Sequence, residues 1–194
     1  MYKVTTQPTF EPITLADAKD WLKVHPDVVD DDNLIRALIA SARSWAEKGT
    51  GQALITQTIE QVWDWMPETL TFDLTISPLL AVTSVKYLDT NGTYQTWDSG
   101  NYTADLFNNR VCVKPSVSLP ATSALYERPN VWKVTYTAGN ATALAVDANI
   151  KTAMLLQLAM MYNYREDMPI SKNSSNPLAR SAYNLLALSR INLI

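Results

Sequence analysis

Cysteine occurs once in this 194-residue chain, histidine once and glycine five times. The lone cysteine, Cys112, has no partner for an intrachain disulfide, which fits folding in a reducing cytosol. It lies between Val111 and Val113 in an expected strand, as a small packed or surface residue rather than a nucleophile. The glycines form neither a G-x-x-x-x-G-K-[ST] nor a G-x-G-x-x-G arrangement, so neither phosphate-cradling loop is available. Gly49-Thr50-Gly51 is too short for one and follows a helix rather than a strand. The single histidine, His25, excludes a two-histidine zinc site. No G-x-S-x-G is present to hold a nucleophilic serine. The paired carboxylates, Asp30/Asp31/Asp32 and Glu166/Asp167, sit beside helix ends, where capping accounts for them. A calcium loop at Asp27 to Asp32 lacks its glycine and its terminal glutamate. We therefore expect no catalysis, no cofactor and no metal.

Positive charge is also sparse. Sixteen Lys and Arg stand against nineteen Asp and Glu, a net charge of −3, and no run of five or six cations exists. Gripping nucleic acid requires cations against phosphate, so the chain is not expected to bind DNA, although it can sit beside it. No apolar run reaches the roughly 18 residues of a membrane span. The start MYKVTTQPTF lacks a basic segment followed by an apolar block, so no signal peptide is expected.

Apolar residues, at 47% of the chain, suffice for one sizeable core or a core plus a smaller module. The stretch that organises them is DANIKTAMLLQLAMMYNYR, 147–165. Asp147 is placed to cap a helix of about five turns, and Pro169 forbids its continuation. Between Ala153 and Tyr162 only Gln157 is clearly polar. A surface helix shows a wet face; this one needs cover all round. One face meets the rest of its own chain. The other requires either a second layer of that chain or a neighbouring subunit. The three methionines at 154, 160 and 161 read as gap-fillers.

Upstream, Pro8 and Pro12 leave residues 1–12 extended or loose. Thr14, with Asp17 three residues on, opens a helix over 14–23. Asp30 to Asp32 favour the start of a second over 32–48, which Gly49 and Gly51 end. From Ala53 the period becomes 2: Ile55, Gln57, Ile59, Gln61, Trp63 and Trp65 share one face. Strands follow at 69–76, 82–88, 93–97, on either side of Asn108-Asn109, and at 131–139. Asp89-Thr90-Asn91-Gly92 makes a hairpin turn. Close spacing points to a β meander, with a loop over 116–130. Residues 166–176 read as a linker. The last helix, from about 177 to 190, has an apolar face that either folds back on its own core or docks on a partner.

The expected fold is therefore α+β: a small bundle of three main helices, an inserted antiparallel β module and a C-terminal helical tail. The expected divisions are 1–51 with 138–165 as the helical core, 52–137 as the β module, and 166–194 as linker and docking tail.

The order of residues resembles the head-tail connector (adaptor) proteins of tailed bacteriophages. The resemblance is carried by PITLADAKDWLKV (12–24), DDDNLIRALIASARSWAE (30–47) and TGQALITQT (50–58). SPLLAVTSVKYLD (77–89) and YTAGNA (136–141), leading into the long helix, add to it. It covers roughly 12–165. It implies a structural virion protein of the neck, made in the bacterial host cytoplasm. Its partners would be itself, in a ring usually of twelve copies, the portal protein and a downstream neck or tail-completion protein. DNA would pass through the channel without specific binding, and no membrane is involved. On that reading Met154, Leu158, Met161 and Tyr162 are candidates for subunit packing. Leu185, Leu186, Leu188 and Ile191 are candidates for portal docking. The competing class is a β-rich binding module, for glycan for example, built on Trp63, Trp65, Trp97 and Trp132.

Overall fold

The computed structural model describes residues 1–122, 128–164 and 177–189. The class is α+β, and the chain forms two compact units. One comprises Met1–Pro8 and Thr56–Gly139, the other Thr9–Ile55 and Asn140–Ile194.

The first unit is all β. Its larger sheet contains β1 (Tyr2–Thr6), β2 (Gln57–Trp63), β4 (Leu79–Leu88), β5 (Tyr94–Trp97) and β8 (Trp132–Ala138). The strand order is β1-β2-β8-β4-β5, antiparallel throughout. A second sheet has the order β3-β7-β6, from Thr71–Asp73, Arg110–Val113 and Tyr102–Asp105. This is not the expected meander. The last strand, β8, lies between β2 and β4 and pairs along both edges. Local alternation names a strand's inward face, not its neighbours. Nor is the N-terminus loose: Tyr2–Thr6 pairs with β2, so these residues belong with the β unit rather than with the helices.

Alternation explains the packing of this unit. Along β8, Trp132, Val134, Tyr136 and Ala138 are buried. Along β2 the same side carries buried Gln57, Ile59 and Gln61. The sheets meet through aromatic rings: Phe72 of β3 lies 5.0 Å from Trp63 and 5.6 Å from Trp132, and Trp97 lies 5.1 Å from Trp132. Such ring pairs add roughly 0.5–1.5 kcal/mol each beyond their buried area. The buried amide of Gln61 is satisfied within the unit, whereas the buried Ser77 hydroxyl has no hydrogen-bond partner among the described residues. Gln61 Nε2 donates to the Asp73 carbonyl (3.0 Å), while its Oε1 accepts from Thr75 N–H (3.0 Å) and from the Tyr136 hydroxyl (3.3 Å).

The second unit is helical: α1 (Leu15–Leu22), α2 (Asp32–Thr50), α3 (Ala148–Asn163) and α4 (Pro177–Leu188). Thr14 and Asp17 form the expected capping box. Asp147 caps α3 by accepting from Asn149 N–H at 2.7 Å. Two details differ from expectation. Gly49 lies inside α2, and only Gly51, in the left-handed conformation (φ 73°), ends it. Asp31 stands at the head of α2 but makes no side-chain cap; its carboxylate accepts from the Tyr162 hydroxyl instead.

The helices run alternately. Tyr162, near the end of α3, reaches Asp31 at the start of α2, so these two are antiparallel. Helix α4 runs with α2: Trp45 meets Tyr183 (ring centroids 5.4 Å apart), and Gln52 Nε2 donates to the Ser189 carbonyl (2.7 Å). Between them a Cβ at Gly49 would lie 3.1 Å from Leu186, so the missing side chain permits the close approach. The core gathers Ile35, Ile39, Ala42 and Ala46 of α2 with Ile150, Ala153, Met154 and Leu158 of α3 and Leu186 of α4. No residue of α3 from Lys151 to Tyr162 is exposed.

Candidate interaction surfaces

The residues singled out from the sequence fall into two groups. Met154 and Leu158 are completely enclosed (0% exposed), Met161 is buried, and Tyr162 is half-buried and tied to Asp31. All four sit within the core of the helical unit or against it. The cover that α3 demanded is supplied by α1, α2 and α4 of the same chain, so no neighbouring subunit is needed to hide it. At the C-terminus, Leu186 is 3% exposed and Leu185 packs against the same core. Helix α4 is thus an integral layer of its unit, not a free docking tail. Leu188 alone points outward, at 77% exposure, and Ile191 lies outside the described residues.

The tryptophans are similarly divided. Trp97 and Trp132 are buried and Trp63 is half-buried in the ring cluster. Of the four candidates only Trp65 is largely exposed, beside a cleft of about 640 Å³ lined by Met1, Val62, Trp63, Pro67 and Pro129. A flat platform of four indoles is therefore not formed.

Three outward features escaped the sequence reading. The first is the β6–β7 hairpin, whose tip exposes Phe107 (92%) and Leu106. Asp105 rigidifies that tip by accepting from Asn108 N–H (3.1 Å), Asn108 Nδ2 (2.8 Å) and Arg110 Nε (3.0 Å). These bonds, led by those from Asn108, hold the Asp105 carboxyl below its ordinary pKa. Asn109 braces the base: its Oδ1 accepts from Leu79 N–H (2.8 Å) and its carbonyl from Leu74 N–H (2.8 Å).

The second feature is the loop between α1 and α2. Lys19 is buried, and its ammonium donates to the carbonyls of Pro26 (3.1 Å) and Val28 (2.8 Å) while pairing with Asp32. The pinned loop turns Val28 and Val29 outward, between Asp27 and Asp30. The third lies where α2 and α4 end and α3 begins: Leu144, shortly before α3, is 91% exposed, Leu188 at the end of α4 is 77% exposed, and Lys48 in the last turn of α2 is exposed.

Acid–base chemistry finds little to work with. His25 approaches Asp27 at 3.5 Å, but their side chains are 71% and 91% exposed. Among the described residues no group of three or more His, Cys, Asp or Glu is arranged to hold a metal. Among them, too, no helix is long and apolar enough to cross a membrane.

Residues 12–99 match the family model of phage gp6-like head-tail connector proteins. The resemblance read from the sequence is thus borne out over α1, α2 and the first half of the β unit. No curated protein matches the chain. Among solved structures, a chain from the neck of an empty gene transfer agent particle, computed with C6 symmetry, is similar over 100% of this chain and 97% of its own. Its TM-score is 0.78 and its identity 19%. A chain from the virion of the native particle gives a TM-score of 0.74 at 19% identity, over the same shares. One from the native neck computed with C12 symmetry gives 0.68 at 21%, again over 100% and 97%. These likenesses extend the shared fold from residues 12–99 to the whole chain.

Proposed function

We propose that this chain is a structural neck protein of a tailed, virus-like particle: a head-tail connector that assembles as a ring of twelve copies beneath the portal. It extends the DNA channel and offers a platform to the next neck or tail protein. The observation that carries this reading is the connector-family match over residues 12–99. Fold likeness to chains of necks computed with C6 and with C12 symmetry supports a ring, and the C12 neck supports twelve copies. The net charge of −3 suits a channel wall along which DNA slides, because phosphates release no counterions to a surface without clustered cations.

The ring does not rest on an uncovered helix, since α3 is enclosed by its own chain. It rests instead on outward apolar residues held on rigid supports, as at Val28 and Val29 or at Phe107. Preorganised apolar anchors bind with little ordering cost.

The test is electron microscopy of the purified chain, alone and with purified portal particles. Rings of twelve, free or seated on the portal, are expected. A chain that remains monomeric at all concentrations and ignores the portal overturns the proposal.

A further inference from the structure

The two ends of the helical unit are chemically opposite. At one end, α2 begins, α3 finishes, and the loop before α2 presents Val28 (44% exposed) and Val29 (65%) between Asp27 and Asp30. Asp31 is there too, bonded to Tyr162; the cations at this end are Lys19, paired with Asp32, and the exposed Lys23 and Arg36. At the other end, α2 and α4 finish and α3 begins. The ends are tied together by Gln52 donating to Ser189 and by the Ser189 hydroxyl donating to Asp147 (3.1 Å). That end presents Leu144 (91%) and Leu188 (77%) with Lys48 and Lys151; its carboxylates are Asp147 and Glu47, the latter paired with Arg43. At 1.5 Å per residue, α2 separates the two by about 28 Å.

We propose that these ends are the two halves of a head-to-tail contact between copies of this chain. Val28 and Val29 of one copy pack on Leu144 and Leu188 of the next, with Asp27 and Asp30 facing Lys48 and Lys151. The inference rests on the ring reading and names the surfaces that make the ring. The occupant is argued from charge: each end carries exposed apolar residues, and the flanking charges are mainly acidic at one, where Asp27, Asp30 and Asp31 outnumber Lys23 and Arg36, and mainly basic at the other. Two acidic ends repel; an acidic and a basic end attract and steer one orientation. Unlike patches on opposite ends form a heterologous contact, which closes into a ring when the rotation per copy allows. The Lys19 anchor serves the same purpose. A buried ammonium with two carbonyls and a carboxylate fixes the shape of the valine loop before any partner arrives.

The test uses the full chain with Cys112→Ser as background. Val29→Cys and Leu188→Cys variants are prepared separately, mixed, and bridged with a short bis-maleimide. Val29–Leu188 bridges are expected, in excess over bridges between like variants. Independently, Asp27→Lys with Asp30→Lys should weaken self-association at least about tenfold by sedimentation. Lys48→Asp with Lys151→Asp in the mixing partner should restore it. Circular dichroism checks that each variant is folded; these positions are exposed or half-exposed. Rings that form without the bridge and ignore the charge reversals overturn this contact while leaving the ring intact. Bridging of Leu188→Cys to the portal instead overturns it as well. Absence of any ring, alone or with portal, overturns both.

Discussion

Arg43 shows how single side chains hold the helical unit together. Its guanidinium is largely buried and meets two carboxylates, Glu11 at 2.8 Å and Glu47 at 2.9 Å, while Glu47 also accepts from Leu54 N–H at 3.0 Å. Replacing it with methionine keeps the bulk but leaves the acids without their cation. Breaking a buried pair on one side costs about 3–5 kcal/mol. Urea unfolding of Arg43→Met should show a loss of that order; a change below about 0.5 kcal/mol would mean that the carboxylates relax into solvent. In the β unit, burial pushes the Tyr136 hydroxyl well above its ordinary pKa of 10. The folded state therefore keeps this proton where the unfolded chain releases it. The stabilisation is complete below pH about 10 and is lost as pH rises from there toward the raised folded value. Tyr136→Phe should lose stability at pH 7, through Gln61 and the Ile76 N–H, yet fall less steeply above pH 10 in thermal unfolding. The turn carboxylates Asp89 and Asp105 have the opposite sign. Hydrogen bonds, led by Thr93 N–H and by Asn108, lower both below 3.8, so their contribution is present above that pH and lost as pH falls through the lowered values. What was legible at this scale was local: the Thr14 capping box and the Asp147 cap lie within three residues of their partners. Asp31 was misread because its partner, Tyr162, lies 131 residues away.

Among the elements, α3 and α4 are the instructive pair. That α3 is apolar all round was readable from its residues, and so was its need for cover. The source of the cover was not, because periodicity reports a face and never names what sits on it. The tail covers it because Gly49 lets α4 approach α2 closely enough for Leu186 to enter the core. Leu186→Ala should cost about 2–5 kcal/mol in denaturant unfolding. Gly49→Val should cost about 1–3 kcal/mol by overpacking the same spot. The double variant should lose less than the sum, since the smaller alanine makes room for valine; strict additivity would place Gly49 and Leu186 out of contact. The strands carry the same lesson. Alternation placed β2, β4 and β8 within a few residues, but not β8 between the other two. Strand β1 was hidden by Pro8 and Pro12, which lie beyond its end rather than inside it.

The molecule as a whole is two units, each assembled from two stretches of chain. The two helical stretches meet at their cut ends. Ile55 forms a parallel bridge with Asn140, and Asn140 Nδ2 donates to the Leu54 carbonyl at 3.0 Å. Every residue of the helical core lies within 9–55 or 140–189. A chain beginning at Thr9, with residues 56–139 replaced by a short Gly/Ser linker, should fold cooperatively to a helical product. Calorimetry and circular dichroism check this; a molten product would show that the helical unit depends on the excised residues. The sequence showed the β segment as an insertion but placed residues 1–8 on the wrong side of the division, because pairing across fifty residues leaves no local trace.

The bridge at Ile55 and Asn140 also sets a timetable for biosynthesis. A ribosome delivers α1 and α2 first, then the entire β segment, and only afterwards the helices that close over them. At about 5–20 residues per second the oily flank of α2 waits on the order of ten seconds for its lid. Nascent chains halted in that interval carry a bare greasy helix, the kind of surface that chaperones hold and proteases clear.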